Sequence, residues 1–385
     1  MGSALCNLEE EFFQVVLSHW GSKYITPEVC QLLRLVSRGA CQAVANTRPR
    51  VHITICPTRG VLLAWQRRGH VVNKFANIVR VDVMPHYTKS IDDVALCQVL
   101  QACGALEHLK LRSTCWTGRA LARVLAAANT HQTLKHVDLT GAAPGTQGCD
   151  SLLPVLPGLG NLRVLSLAQN SLYAVASEKL GQLLRLCPLL EDLDLSANGL
   201  TDANGAEVCK VLKGVPALER LDLAVNFLGH RSADRVGELM VCSKSLRHLD
   251  LSNNQMRDVG ASKVASRLGR TACLETLVVS GNGVQDSGAE ALAVGLRKST
   301  TLRCLDVTRN EIGVGWAMAL NRGMKNAHGR TCRVLVDDNK RTVCTRLPLH
   351  ADRLLWTGIE DLRHDDGVFE YVFSTPGRES VDART

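Results

Sequence analysis

Asparagines stand at Asn170, Asn198, Asn226, Asn254, Asn282 and Asn310, each 28 residues after the one before. The same apolar frame precedes them: Leu190, Leu193 and Leu195 before Asn198, Leu218, Leu221 and Leu223 before Asn226, Leu246, Leu249 and Leu251 before Asn254. Stepping by 28 from Leu165 gives Ile53, Val81, Leu109 and Val137 backwards, and Leu193, Leu221, Leu249, Leu277 and Leu305 forwards. Two residues on runs a second column: Ile55, Val83, Leu111, Leu139, Leu167, Leu195, Leu223, Leu251, Val279 and Val307. Every one of these positions is apolar although only 45% of the chain is hydrophobic, so chance does not produce the frame. An eleventh unit with Val334, Val336 and Asn339 follows after a slip of one residue. A fixed period of this length means stacked units, so the 385 residues do not divide into two or three ordinary globular domains.

Each unit has a physical reading. Two apolar residues separated by one predict a short strand with one buried face. The asparagine can bond backbone groups where the chain turns out of that strand. A helical half follows, as in Asp286 to Leu296, where apolar residues recur at helical spacing. Asp258 and Asp286 are placed to cap helix starts. Helices are wider than strands, so stacking predicts a curved α/β solenoid with parallel strands inside and helices outside. The early units hold His86, Thr114 and Ala142 where the asparagine belongs, and Gly141-Ala142-Ala143-Pro144-Gly145 predicts a locally irregular turn.

This L-x-x-L-x-L-x-x-N frame with a full helix resembles the ribonuclease-inhibitor class of leucine-rich repeats, over roughly Arg50 to Asn339. The resemblance implies a non-enzymatic protein that binds another protein on its concave face, and that class serves many unrelated partners. Before the repeats, Leu8 to Trp20 reads as an amphipathic helix, and Thr26-Pro27-Glu28 opens a second one with Pro27 in its first turn. Leu32-Leu33-Arg34-Leu35-Val36-Ser37-Arg38-Gly39-Ala40-Cys41-Gln42-Ala43-Val44 resembles the later half of an F-box, the three-helix module that docks on the adaptor subunit of a cullin ubiquitin ligase. That resemblance implies adaptor contacts by Leu33, Leu35 and Val36. The segment departs from the F-box pattern in lacking a Leu-Pro opening and the tryptophan after Ser37-Arg38. The other reading is a helical cap over the apolar edge of the first repeat. At the far end Leu354, Trp356, Ile359 and Val368 to Phe373 predict a small closing cap. The expected division is 1–48 (F-box-like or capping segment), 49–339 (solenoid) and 340–385 (cap and tail).

Composition narrows the function. The net charge of +8 is modest and aromatics are 4%, which speaks against nucleic acid as partner. Fifteen cysteines without a Cys-x-x-Cys pair argue against zinc and for reduced thiols used as small core residues, hence a cytoplasmic setting, with cytoskeletal or ciliary association left open. Residues 1–11 do not read as a secretory signal, and no run of about 18 apolar residues predicts a membrane span. Neither a phosphate-binding glycine loop, a nucleophile elbow nor a metal-binding His-Glu pair occurs, so no catalytic, cofactor or metal residues are expected. Ran GTPase-activating proteins share the repeat class but carry a strongly acidic tail, which this basic chain lacks.

Residues between the buried leucines point into the concavity. The central column reads Asp82, Lys110, Asp138, Ser166, Asp194, Asp222, Asp250, Val278 and Asp306. Beside it run Arg80, His108, His136, Val164, Asp192, Arg220, His248, Thr276 and Cys304. The expected partner-binding residues are Asp138, Asp194, Asp222, Arg220, His248, Asp250 and Asp306. The functional expectation is a substrate receptor of a cullin-type ligase; the alternatives are a cytoskeletal or ciliary scaffold and a small-GTPase regulator.

Overall fold

The computed structural model describes residues 14–16, 51–55, 78–83, 93–112, 117–142, 159–172, 177–313, 332–336, 339, 359–363 and 369–373. The chain forms two compact units, Met1–Asn170 and Ser171–Thr385.

The first unit contains strands β1 (Gln14–Val16), β2 (Val51–Ile55), β3 (Ile78–Val83), β4 (His108–Lys110), β5 (His136–Asp138) and β6 (Val164–Ser166), with helices α1 (Asp93–Gln101) and α2 (Gly118–Ala128). All neighbouring strands pair in parallel. The sheet register is the sequence frame: Ile53 faces Val81, then Leu109, Val137 and Leu165. Val81, Leu109 and Val137 are buried, as are Val83, Leu111 and Leu139 two residues on. Burying one side of every strand fixes this register, since a slip of one residue would turn the apolar columns outward.

The second unit repeats the pattern with α3 (Ser177–Arg185), β7 (Asp192–Asp194), α4 (Asp202–Leu212), β8 (Arg220–Asp222), α5 (His230–Cys242), β9 (His248–Asp250), α6 (Arg257–Arg267), β10 (Thr276–Val278), α7 (Asp286–Lys298), β11 (Cys304–Asp306) and β12 (Cys332–Leu335). Strands β7 to β11 pair in parallel in the same frame, and β12 joins with Val334 opposite Leu305, which accommodates the one-residue slip. The fold is thus the expected α/β solenoid of parallel strands, with each helix of the second unit, from α3 to α7, packing on the next. In α7 the buried residues Gly288, Ala289, Leu292, Ala293 and Leu296 form one face. Gly295 lets α7 approach α6: a Cβ there would lie 2.4 Å from the Ala265 carbonyl oxygen.

Two polar devices run through the stack. Asn226 donates from Nδ2 to the carbonyls of Leu223 and Ala224 in its own unit and of Leu195 in the unit before, while its Oδ1 accepts the amides of Asn198 and Leu200. Asn310 repeats that pattern, and Asn254 and Asn282 repeat it with one accepted amide each, from Leu228 and Met256. Asn339 closes the series, accepting the Ile312 amide. The second device corrects the capping expectation. Asp258 sits in the first turn of α6 but caps the following helix, its Oδ1 accepting the amides of Gln285 and Gly288. Asp202 does the same for α5 through Gly229 and Ser232, and Asp286 accepts the Gly313 amide. The carboxylate reaches across because helix starts stack side by side, one unit apart.

The residue before each ladder position has positive φ: Gly141, Gln169, Ala197, Val225, Asn253, Gly281 and Arg309. Gly141 therefore keeps the regular turn, its amide donating to the Ala168 carbonyl as Ala197 does to Ala224. The irregularity expected there is not found at Gly141 and Ala142; residues 143–145 lie outside the described residues.

The N-terminal end differs from expectation in kind. Gln14–Val16, inside the segment expected to be helical, is a strand parallel to β2. Pairing satisfies the otherwise open backbone edge of β2, a demand that helical periodicity does not reveal. The remainder of the expected helices, with Leu33, Leu35 and Val36, lies outside the described residues. At the C-terminal side β13 (Ile359–Arg363) and β14 (Phe369–Phe373) form an antiparallel pair, with β14 antiparallel to β12. No described helix is long and apolar enough to cross a membrane.

Candidate protein-binding face

Strand alternation places the middle residue of each Leu-x-Leu triplet opposite the core. What then holds it in place is a short local bond. The Asp194 Oδ1 accepts the Ser196 amide at 2.9 Å, Asp222 that of Ala224 at 2.8 Å, Asp250 that of Ser252 at 2.8 Å and Asp306 that of Thr308 at 2.9 Å. The aspartate column is therefore also a set of turn-forming acceptors, which explains why the residue type recurs without invoking a ligand.

In the second unit the register brings the expected site residues onto adjacent strands. Asp194 faces Asp222, which faces Asp250. Arg220 lies between Asp192 and His248 in the neighbouring column. Its Nη1 stands 3.9 Å from Asp192 Oδ2, and its side chain is 61% exposed. One loosely held guanidinium does not neutralise this surface. Burial pushes the Asp222 carboxyl up to about 6; the Ala224 amide opposes this, while Asp250, Asp194 and Asp192 add to it. Burial also raises Asp192, with Arg220 opposing and Asp194 adding. Asp306 is set apart in its column, between Val278 and Leu335.

Asp138 belongs to the first unit and is built differently. It is 2% exposed. Arg112 Nε lies 2.6 Å from its Oδ2, and the Thr140 amide and hydroxyl both donate to its Oδ1. Burial alone would raise this carboxyl, but the Thr140 and Arg112 bonds hold it below its ordinary value. Its acceptor capacity is directed inward. Nearby, the His108 and His136 rings have centroids 5.3 Å apart. Burial pushes His136 down to about 4, aided by His108 and Lys110, so it is neutral at pH 7.

Three features escaped the sequence reading. Glu191 and Glu219 precede Asp192 and Arg220 by one position and stand in a 28-residue column of mixed charge, in which Lys135 pairs with Glu107 and Arg247 with Glu275; the same step would have found it. The Arg112–Asp138 pairing joins residues 26 apart, and a search within each column does not see it. Val225 and Phe227 are 52% and 55% exposed at the turn that follows Asp222, where other units carry Ala197 and Gly199 or Asn253 and Gln255.

Among the described residues, no group of three or more His, Cys, Asp or Glu could hold a metal ion. Burial pushes the thiols of Cys103 and Cys209 up to about 12 and Cys187 up to about 11, which keeps them protonated and poorly nucleophilic at neutral pH.

A stack of strand–turn–helix units tied by asparagines is a leucine-rich-repeat architecture, and comparison with protein families agrees: a model described as "Leucine Rich repeat" matches residues 242–265, 272–293 and 298–315. Among solved structures, one titled "Crystal structure of TLR13-ssRNA13 complex" is similar at a TM-score of 0.45 and 18% identity, over 72% of this chain and 38% of that one. The present chain thus spans well under half the length of that protein, and a likeness this distant bears on neither partner nor mechanism.

Proposed function

We propose that this chain is a non-enzymatic protein-recognition protein, and that the strand face carrying Asp194, Asp222 and Asp250 holds a basic segment of a partner. The observation behind this is the crowding of carboxylates on adjacent strands, about 4.8 Å apart, with Arg220 as the guanidinium in the neighbouring column. Burial first, and then the neighbouring Asp250, Asp194 and Asp192, raise the Asp222 carboxyl, and a cation arriving there relieves the like-charge part. The same charge works against a phosphate backbone, so the single-stranded RNA named with the similar structure is not carried over to this face. The test compares partners captured by the intact chain with those captured by a D194N/D222N/D250N variant, with D306N as control. Partners lost only from the triple variant support the reading; identical partner sets overturn it.

The narrower reading is a substrate receptor of a cullin-type ubiquitin ligase, with 1–48 as a separate adaptor-binding module, 49–339 as the recognition solenoid and 340–385 as its closing cap. Its support is the F-box-like sequence from Leu32 to Val44, with Leu33, Leu35 and Val36 as adaptor contacts. Direct binding of the purified adaptor subunit to the intact chain tests it. Absence of binding removes this reading, and a cytoskeletal or ciliary component or a small GTPase captured instead turns the proposal to those partners.

A further inference from the structure

Val225 and Phe227 form an exposed apolar pair in a stack that otherwise buries its large apolar residues at this turn. The equivalent positions one unit away hold Ala197 and Gly199 or Asn253 and Gln255, while the large apolar residues two after the ladder asparagines, Leu200, Leu228, Met256 and Val284, are all buried. The Phe227 side chain is exposed even though its backbone is fixed, because its amide donates to the Leu200 carbonyl at 2.9 Å and it bridges Thr201. The ring is therefore presented from a rigid backbone. Val225 is held at φ 55, in the column where neighbouring units place Ala197, Asn253 and Gly281. A β-branched residue is the least suited to that conformation, so local folding does not account for its presence.

The surroundings define what would cover the pair. Both residues follow Asp222 in the same unit, and an extended chain spans at most about 18 Å over the five residues from Asp222 to Phe227. The carboxylates of Asp192, Asp194, Asp222 and Asp250 thus lie within the reach of one short extended peptide that also touches Phe227. Flanking positions are small or polar (Ala197, Gly199, Asn253 and Gln255), which leaves the ring's sides open to a partner. We infer that Val225 and Phe227 are the apolar anchor of the docking face, and that the occupant is a basic extended segment of a partner protein carrying one large apolar side chain within about five residues of its basic run. The inference rests on the acidic-face reading and adds to it the anchor and the partner's sequence chemistry.

The test uses the full chain and two fluorescein-labelled peptides: one with a run of lysines followed, five residues later, by a single leucine, and the same peptide with serine for leucine. Binding is measured by anisotropy at low and high salt. The intact chain binds the leucine peptide about tenfold more tightly than the serine peptide, and F227A removes that preference. The D194N/D222N/D250N variant weakens both peptides and leaves their ratio in place. V225G, which suits the backbone conformation, narrows the preference without lowering the melting temperature, so a folding defect is not the cause. An unchanged ratio in F227A overturns the anchor while the acidic-face reading stands. Unchanged binding in the triple variant, or no binding of either peptide, overturns both. A dimer of the chain alone that F227A dissociates gives the patch to a second copy and overturns the inference.

Discussion

Replacing Asp222 by Asn tests the electrostatics of the face without relying on any partner. Asparagine keeps an oxygen to accept the Ala224 amide, now held at 2.8 Å, and removes the charge. Burial, with Asp250, Asp194 and Asp192, raises the carboxyl from 3.8 to about 6 in the folded chain. Between those values the folded state binds more protons than the unfolded state, so stability falls as pH rises through the window and then levels off. At 1.36 kcal/mol per pH unit the full effect is at most ~3 kcal/mol. Asp222 keeps partial contact with solvent, and screening reduces this to roughly 1 kcal/mol. D222N is therefore expected to be more stable than the parent by about that amount at pH 7 to 8, with the gain fading as pH falls from 6 towards 4. Urea unfolding midpoints across this range at fixed ionic strength measure it. D306N supplies the baseline: Asp306 makes the same turn bond to Thr308 but has Val278 and Leu335 as column neighbours. A D222N gain no larger than that baseline at pH 8, or one that persists unchanged at pH 4, refutes the self-repulsion argument.

N226A removes bonds to three carbonyls and two amides at a buried site, and should cost ~3 kcal/mol or more in unfolding free energy, measured by denaturant titration. G295A should destabilise by about 1–3 kcal/mol even though alanine favours helix by ~1 kcal/mol, because the new Cβ meets the Ala265 carbonyl, which is backbone and cannot swing away; a melting temperature at or above the parent's would contradict the close approach of α6 and α7. V225G should raise stability by up to about 1 kcal/mol, since relief of a left-handed β-branched residue, ~1–2 kcal/mol, exceeds glycine's entropic cost of ~0.5–1 kcal/mol; calorimetry decides the sign.

The fold was legible because its constraint is periodic. Leu193, Leu221 and Leu249 are 28 residues apart and face one another across adjacent strands, so sequence spacing and sheet register are one number. The slip before Val334 carried through in the same way. The direction of the caps was not legible: Asp258 looks like a cap for its own helix, and only packing shows that its carboxylate serves Gln285 and Gly288. Gln14–Val16 was misjudged because a strand added to an open edge answers a demand made by β2, far along the chain. Within the candidate face the charge pattern was readable, and the burial that separates Asp138 from Asp222 was not. Both are Leu-x-Leu or Val-x-Leu centres in sequence; Arg112 and Thr140 close one of them. Phe227 went unremarked because an apolar residue beside a ladder asparagine reads as core until its exposure is known.

The asparagine and aspartate ties have opposite directions, and this gives the solenoid a polarity in time. Asp202 is in place before the helix it will cap, α5, has been made, whereas the turn at Asn198 and Leu200 waits for an acceptor on Asn226. A nascent chain that has just emerged past Asp202 therefore ends in a unit that already provides for the next helix start and whose own turn is still unsatisfied. Among the described units that carry both ties, a 28-residue piece leaves polar groups open, so a self-sufficient fragment there spans more than one period. Chains truncated from the C-terminal side should fray at a turn, and those truncated from the N-terminal side at a helix start. A graft that lengthens the stack preserves both ties only when it adds whole periods between two ladder asparagines.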